Sequence, residues 1–354
     1  MSDGKGVSPG ARILFSVASF VIVVAGMKAA SSILIPFLLS VFIAIICTPP
    51  LFWMRKKGVP DGLAIVVIIL VIVAVGAGLS AFVGASVTDF SNNLPEYRQK
   101  LMDKTSGLFQ WLGEHGVDVS EESISKNFNP GTAMQMAAKT LTSLSGVLSN
   151  AFLILLTVIF ILLEASAFPA KLRTALYSPE KSLSGFRRFT QSVNRYLALK
   201  TIFSLITGFI IFIWLTILGV DYAALWGLLA FALNYIPNIG SIIAAVPAVL
   251  LTLVQLGTGH AIAVAAGYFA ANTIVGSVLE PRFMGKGLGL STLIVFLSLV
   301  FWGWVLGPVG MLLSVPLTMI LKIALESNED TRWLAVLLGS SPPAPSVKKE
   351  KTAE

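Results

Sequence analysis

The chain has 354 residues, 55% of them hydrophobic and only 12% charged, with a formal net charge of +7. Soluble domains carry about twice that charged fraction, and a mean hydropathy of +0.84 argues against the pair of soluble domains that length alone would suggest. One cysteine, Cys47, and two histidines, His115 and His260, leave no intrachain disulfide and no cysteine metal cluster; the positive charge reads as membrane topology rather than nucleic-acid binding.

A run of about 20 apolar residues crosses a bilayer as a helix. The first run, residues 13–27, follows Lys5 and Arg12 and precedes Ala29-Ala30-Ser31, the layout of a secretory signal. The remainder of the chain is itself membrane-embedded, so this run is expected to be the first transmembrane helix. Residues 33–53 and 63–83 form the next two spans, and Arg55, Lys56 and Lys57 place the loop between them in the cytoplasm.

Residues 86–145 hold five basic and seven acidic side chains, without a basic bias, and lie an odd number of spans from the N-terminus. They are expected outside, as a small helical segment. Pro95 suits a first helical position, Tyr97, Leu101, Leu108 and Leu112 recur near a helical period, and Asn129-Pro130 resembles a second helix start.

A further span covers 147–163. Residues 165–200 then hold seven basic side chains, including Arg187, Arg188, Arg195 and Lys200, against one acid, Glu180. This segment is expected in the cytoplasm. Phe186, Phe189, Val193 and Tyr196 lie three or four apart, the pattern of an amphipathic helix at the membrane interface. Residues 202–220 and 261–279 are further spans.

Two apolar stretches, 223–236 and 293–304, are short for a span. The first ends in Asn234-Tyr235-Ile236-Pro237-Asn238-Ile239-Gly240 and is followed by an apolar arm containing Pro247. The second runs through Gly307-Pro308-Val309-Gly310 into an arm containing Pro316. Pro and Gly break helices, so each is expected to reverse as a hairpin, the pair forming a weak internal repeat. The charge pattern has the first entering from outside and the second from the cytoplasm, a recurrent transporter design. Non-helical backbone at membrane depth must line a cavity or be buried in protein.

Residues 223–259 and 291–321 contain no Asp, Glu, Lys, Arg or His. Free carbonyls and amides at the breaks, with Asn234, Tyr235, Asn238 and Trp302, suit a neutral hydrogen-bonding solute. The expected site comprises Asn234, Tyr235, Pro237, Asn238 and Gly240, with Trp302, Gly307, Pro308 and Gly310. The alternative role for the asparagines is to cap helices and satisfy turn backbone. The glycine-rich segment 280–289 lacks the spacing of a nucleotide loop; it is either a flexible connector or a cytoplasmic gate built on Glu280 and Arg282. No cofactor or metal is expected. The chain after Leu338, with Ser341-Pro342-Pro343-Ala344-Pro345 and three lysines, is expected to be disordered.

Leu233-Asn-Tyr-Ile-Pro-Asn-Ile-Gly240, Leu279-Glu-Pro-Arg-Phe-Met-Gly285, Leu288-Gly-Leu-Ser-Thr292 and the stretch from Phe301 to Thr318 resemble signature segments of the autoinducer-2 exporter family. The resemblance covers nearly the whole chain. It implies a carrier in the bacterial inner membrane that exports autoinducer-2, a small, neutral, hydroxyl-rich quorum-sensing signal. It also implies a homo-oligomer, a pentamer, and some relatives are described as cation–proton antiporters.

The expected architecture is thus an all-α polytopic membrane protein with about six to eight transmembrane helices, including two broken, re-entrant hairpins, and a small extracytoplasmic helical segment. Residues 1–85 hold the first three transmembrane helices and 86–145 the extracytoplasmic segment. Residues 146–200 hold a span and the cytoplasmic amphipathic helix, 201–326 the transport core, and 327–354 a cytoplasmic tail whose end is disordered. The expected partners are a small-molecule substrate, the lipid bilayer and further copies of the chain; no nucleic acid is expected. A sodium/proton antiporter is the alternative function, although Asp61, Glu164, Asp221, Glu280 and Glu326 lie near span ends rather than at mid-membrane. An intramembrane enzyme lacks its motifs in a usable place: there is no His-Glu-x-x-His, and Gly6-Val7-Ser8-Pro9-Gly10 matches Gly-x-Ser-x-Gly only ahead of the first apolar run, with no strand before it to form a nucleophile elbow. A membrane scaffold is the remaining rival.

Overall fold

The computed structural model describes residues 9–114, 150–165, 171, 174, 179–237, 239–284, 289–326 and 331–339. Every element among them is helical. In chain order these are α1 (Pro9–Ala29), α2 (Ser31–Lys56), α3 (Asp61–Glu114), α4 (Ala151–Ala165), α5 (Pro179–Ile217), α6 (Ala223–Leu233), α7 (Ile239–Gln255) and α8 (Thr258–Ala271). A π-helix (Asn272–Leu279) follows, then α9 (Glu280–Met284), α10 (Thr292–Glu326) and α11 (Arg332–Leu337). Helices are what lipid permits, because each satisfies its own backbone hydrogen bonds.

Among the described residues five helical stretches are long and apolar enough to cross a membrane, by length and composition: Ser31–Lys56, Asp61–Asn93, Gln191–Ile217, Thr258–Phe283 and Thr292–Glu326, the last interrupted at Gly307. Between 17% and 39% of their most apolar windows is buried within the chain, so much of their surface suits lipid or another subunit. The protein is an all-α polytopic membrane protein.

The chain forms two compact units. One comprises Met1–Ser31, Leu172–Tyr196 and Met284–Glu354; the other comprises Ser32–Lys171 and Leu197–Phe283. In the first, α1 packs on α10, and α10 on α11. Lys322 Nζ donates to the Gly289 carbonyl at 2.6 Å, and the Ser291 amide to that of Leu338 at 3.1 Å, which fasten the ends of α10.

In the second unit one core gathers α3, α5, α6, α7 and α8 around Phe90, Ile211, Leu215, Trp226, Leu229, Leu251 and Val264. Another gathers α2, α3 and α4 around Leu51, Ala64, Val158 and Leu162. The α5–α6 crossing is close because glycine faces glycine: a Cβ on Gly208 would lie 2.8 Å from the Gly227 carbonyl oxygen, and one on Gly227 2.9 Å from that of Gly208. Small residues of this kind let membrane helices approach each other.

Four details differ from expectation. Pro95 does not start a helix; α3 runs through it without interruption from Asp61 to Glu114. Pro95 is exposed, while Phe90 and Tyr97 on either side of it are buried. The Tyr97 hydroxyl donates to Asp221 at 2.9 Å, and the Asn93 amide donates to the Tyr222 hydroxyl at 2.8 Å. Packing and these bonds hold both halves of the helix in line where Pro removes one backbone bond. Burial and the neighbouring Asp221 carboxylate push the Tyr97 phenol well above its ordinary range, so it stays a donor. The second helix start, Asn129-Pro130, lies outside the described residues.

The amphipathic segment before Lys200 is not a separate helix: α5 continues from Pro179 into the span. Its Val193 and Tyr196 are buried in protein rather than spread at the membrane surface. Residues 272–279 form a π-helix within a span, which no sequence signal announced. A short helix, α11, occupies the start of the tail.

Candidate functional site

Each of the two breaks lies within one compact unit. The first lies between α6 and α7. Pro237 has no N–H to continue the ladder. Instead the Ile236 amide donates to the Leu233 carbonyl at 2.9 Å and the Ile239 amide to that of Pro237 at 2.6 Å. The chain turns back so tightly that any Cβ on Gly240 would run into the Leu233 carbonyl oxygen. Only glycine fits there. Asn238 lies outside the described residues.

The two polar side chains of the turn reach α5. Asn234 Nδ2 donates to Ser204 Oγ at 3.0 Å, and the Tyr235 hydroxyl donates to Thr201 Oγ1 at 2.7 Å. Thr201 passes its own proton to the Leu197 carbonyl at 2.7 Å. The Tyr235 ring meets Phe42 and Phe231 edge-on, with centroids 5.9 and 5.8 Å away. Both Asn234 and Tyr235 are buried. Their polar groups therefore hold the turn against α5 rather than capping a helix or satisfying turn backbone, and a solute would have to exchange these bonds to reach them.

One residue before Thr201, Lys200 grips Glu280 with Nζ 2.7 and 3.0 Å from the two carboxylate oxygens. The side chains are only 5% and 14% exposed. Burying two charges costs several kcal/mol of hydration, roughly repaid by their attraction. Glu280 thus has a partner the sequence did not single out, whereas Arg282 is exposed. Lys200, counted in sequence as a cytoplasmic loop charge, is a buried residue of α5. Gly285 and the residues after it up to Leu288 lie outside the described set.

The second break lies inside α10. Gly307 adopts φ 64°, ψ −149°, a conformation that side chains disfavour, and Pro308 follows. The Trp302 indole N–H donates to Thr318 Oγ1 at 3.0 Å. In a straight helix these residues would stand about 24 Å apart along the axis, at ~1.5 Å per residue. The arms therefore run back on each other. A Cβ on Gly310 would strike the Trp302 carbonyl oxygen.

The two turns share a geometry. Gly240 and Gly310 each sit against a carbonyl near the end of the incoming arm. Each also faces the Cβ of the residue four positions earlier, Ile236 at 3.1 Å and Leu306 at 2.8 Å. Both return arms then carry a buried proline, Pro247 and Pro316. The repeat read from sequence extends to backbone packing.

Sequence reasoning found the turn residues and missed their partners. Lys200, Thr201 and Ser204 belong to a helix thirty residues earlier. The available signal was a polar triplet at one-and-three spacing where an apolar span begins. Among the described residues no group of three His, Cys, Asp or Glu could hold a metal ion.

A family profile described as AI-2E family transporter matches residues 17–329. The chain is 45% identical over 329 residues to the AI-2 transport protein TqsA of Escherichia coli K12, covering 93% of this chain and 96% of that protein. It is 45% identical over 334 residues to a putative transport protein of Haemophilus influenzae, with coverage of 93% and 96%. It is also 39% identical over 334 residues to the putative transport protein YhhT of Escherichia coli K12, with coverage of 94% and 96%.

Proposed function

The chain belongs to the AI-2E transporter family, and from that premise we propose that it exports autoinducer-2, or a similar small neutral polar molecule, across the bacterial inner membrane. The observation that carries this reading is the uncharged hydrogen-bonding cluster at the first break: Asn234 and Tyr235 on Ser204 and Thr201. These groups offer both donors and acceptors. A hydroxyl-rich solute can replace each bond in kind, which an ion could not do without losing its hydration. The second turn, at Gly307, Pro308 and Gly310 with Trp302, is a break of the same kind within its own unit. The similarity to a protein named as an AI-2 transporter supports the substrate class.

Glu280 and Lys200 form the cytoplasmic gate in this reading. The pair bridges α5, which carries the hydrogen-bonding groups, and α9, which follows the π-helix. Arg282 is its exposed flank, and the termini and residues 165–200 face the cytoplasm. The chain acts as a homo-oligomer, a pentamer, and is not an enzyme.

A sodium/proton antiporter is the second reading. Glu280, a carboxylate within the Thr258–Phe283 span and paired with a lysine, is the observation that favours it. Purified protein in sealed vesicles distinguishes the two. Flux of autoinducer-2 that exceeds empty vesicles supports the carrier. Sodium-driven proton movement with no autoinducer-2 flux supports the antiporter and overturns the carrier.

A further inference from the structure

A groove of about 470 Å³ lies between α1 and α10, lined by Phe20, Val24, Ala25, Lys28, Phe301 and Trp304 among others. Phe20 stacks on Phe301 with ring centroids 6.2 Å apart. Trp304 is 59% exposed, so the groove is open at this side chain. Lys28, in the last turn of α1, lies 4.1 Å from the Trp304 ring centroid. The residues lining the groove include no carboxylate, and Lys28 forms no ion pair among the described residues. The groove is therefore an apolar trough with one cation at its rim, beside a tryptophan ring and without a carboxylate partner among the described residues.

We propose that this trough binds one anionic phospholipid, with an acyl chain along Phe20, Val24 and Phe301 and the headgroup phosphate on Lys28. The charge pattern selects this occupant. A zwitterionic lipid brings its own cation to the headgroup and gains less from Lys28. A second copy seated on this face would bury Lys28 in its contact, and interface cores are depleted in lysine. The cation–π contact with Trp304 holds the ammonium at the rim, where a phosphate can add to it without displacing the ring.

The test uses the full chain in vesicles of phosphatidylglycerol or phosphatidylcholine brominated on the acyl chains, which quench nearby tryptophans. The expected result is stronger quenching by the brominated phosphatidylglycerol, with a preference of about fivefold in lipid competition, the contribution of one lysine near an anionic surface. That preference is lost in Lys28→Gln and in Trp304→Phe and kept in Lys28→Arg. Equal quenching by the two lipids in the native chain overturns the proposal, as does a preference that survives Lys28→Gln or Trp304→Phe. If Lys28→Gln does not fold, loss of the preference in Lys28→Arg overturns it instead. Disulfide trapping of two subunits through Ala25→Cys, in a Cys47→Ser background, also overturns it by showing a second copy in the trough.

Discussion

The Trp302 indole and the Thr318 hydroxyl, sixteen residues apart within α10, are joined by a 3.0 Å hydrogen bond. That bond lashes the two arms of the hairpin together beyond Gly307, whose positive φ suits glycine. Thr318→Val removes the acceptor and keeps the shape. The expected cost is about 1 kcal/mol of stability, the net value of one such bond, read as a lowered melting temperature of the purified protein. An unchanged melting temperature would show that packing alone closes the hairpin.

The two tight turns make a paired prediction. Gly240→Ala and Gly310→Ala each push a methyl group into a backbone carbonyl that cannot rotate away. Each is expected to destabilise by ~1–3 kcal/mol, and by similar amounts. Gly219→Ala also strains a positive φ, but nothing lies within 4 Å of its Cβ position, so it is expected to cost less. Thermal unfolding of the three variants ranks them; a harmless Gly310→Ala would break the equivalence of the two turns.

Asn234 and Ser204 should behave as a unit. Asn234→Ala strands a buried hydroxyl, at a cost of ~1–3 kcal/mol, and Ser204→Ala strands a buried amide. The double variant should recover part of the summed loss, with a coupling above ~0.5 kcal/mol. Autoinducer-2 flux measured on the same preparations adds the functional half. Additive stabilities together with normal flux would remove this pair from the site.

Lys200 and Glu280 should show the asymmetry of a buried ion pair. Lys200→Met leaves a carboxylate buried alone, and Glu280→Gln leaves an ammonium; each is expected to lose ~3–5 kcal/mol. Lys200→Met combined with Glu280→Leu is expected to be more stable than either single variant. Flux through that double variant tests the gate. Stable protein with normal, regulated flux would show that the pair has no gating role.

Sidedness is testable at two exposed positions. Glu96→Cys and Lys171→Cys, in a Cys47→Ser background, should be labelled by an impermeant reagent from opposite faces of the cell membrane. Lys and Arg accumulate on cytoplasmic loops, and only the second position lies in a basic segment. Labelling from one face at both would refute the assigned topology.

The breaks were legible because proline and glycine carry backbone constraints wherever they stand: Pro237, Gly240, Gly307, Pro308 and Gly310 announce themselves without any partner. Pro95 gave the same signal and misled, because its neighbours Phe90 and Tyr97 pack firmly enough to carry the helix through. Lys200 misled for a related reason. Its charge counts toward a cytoplasmic loop until Glu280, eighty residues later, is folded against it. The π-helix at Asn272–Leu279 has no residue type that demands it. Hydrogen bonds from Asn234 to Ser204 and from Tyr235 to Thr201 depend on how α5 docks, which local sequence does not encode.

The separation of Lys200 and Glu280 along the chain also sets a problem of timing during synthesis. Ribosomes add about 5–20 residues per second, so the eighty residues between them take roughly 4–16 s. For that interval the lysine has left the ribosome without its counter-ion. A charge alone where an apolar span begins opposes insertion by less than the roughly 2.5–3.5 kcal/mol that applies at the bilayer centre. The apolar run after it, Ile202 to Ile217, must hold the helix in place meanwhile. Release of α5 into lipid is then favoured once α9 arrives, which ties insertion of the earlier helix to completion of the later one and leaves chains truncated before Glu280 exposed to quality-control proteases.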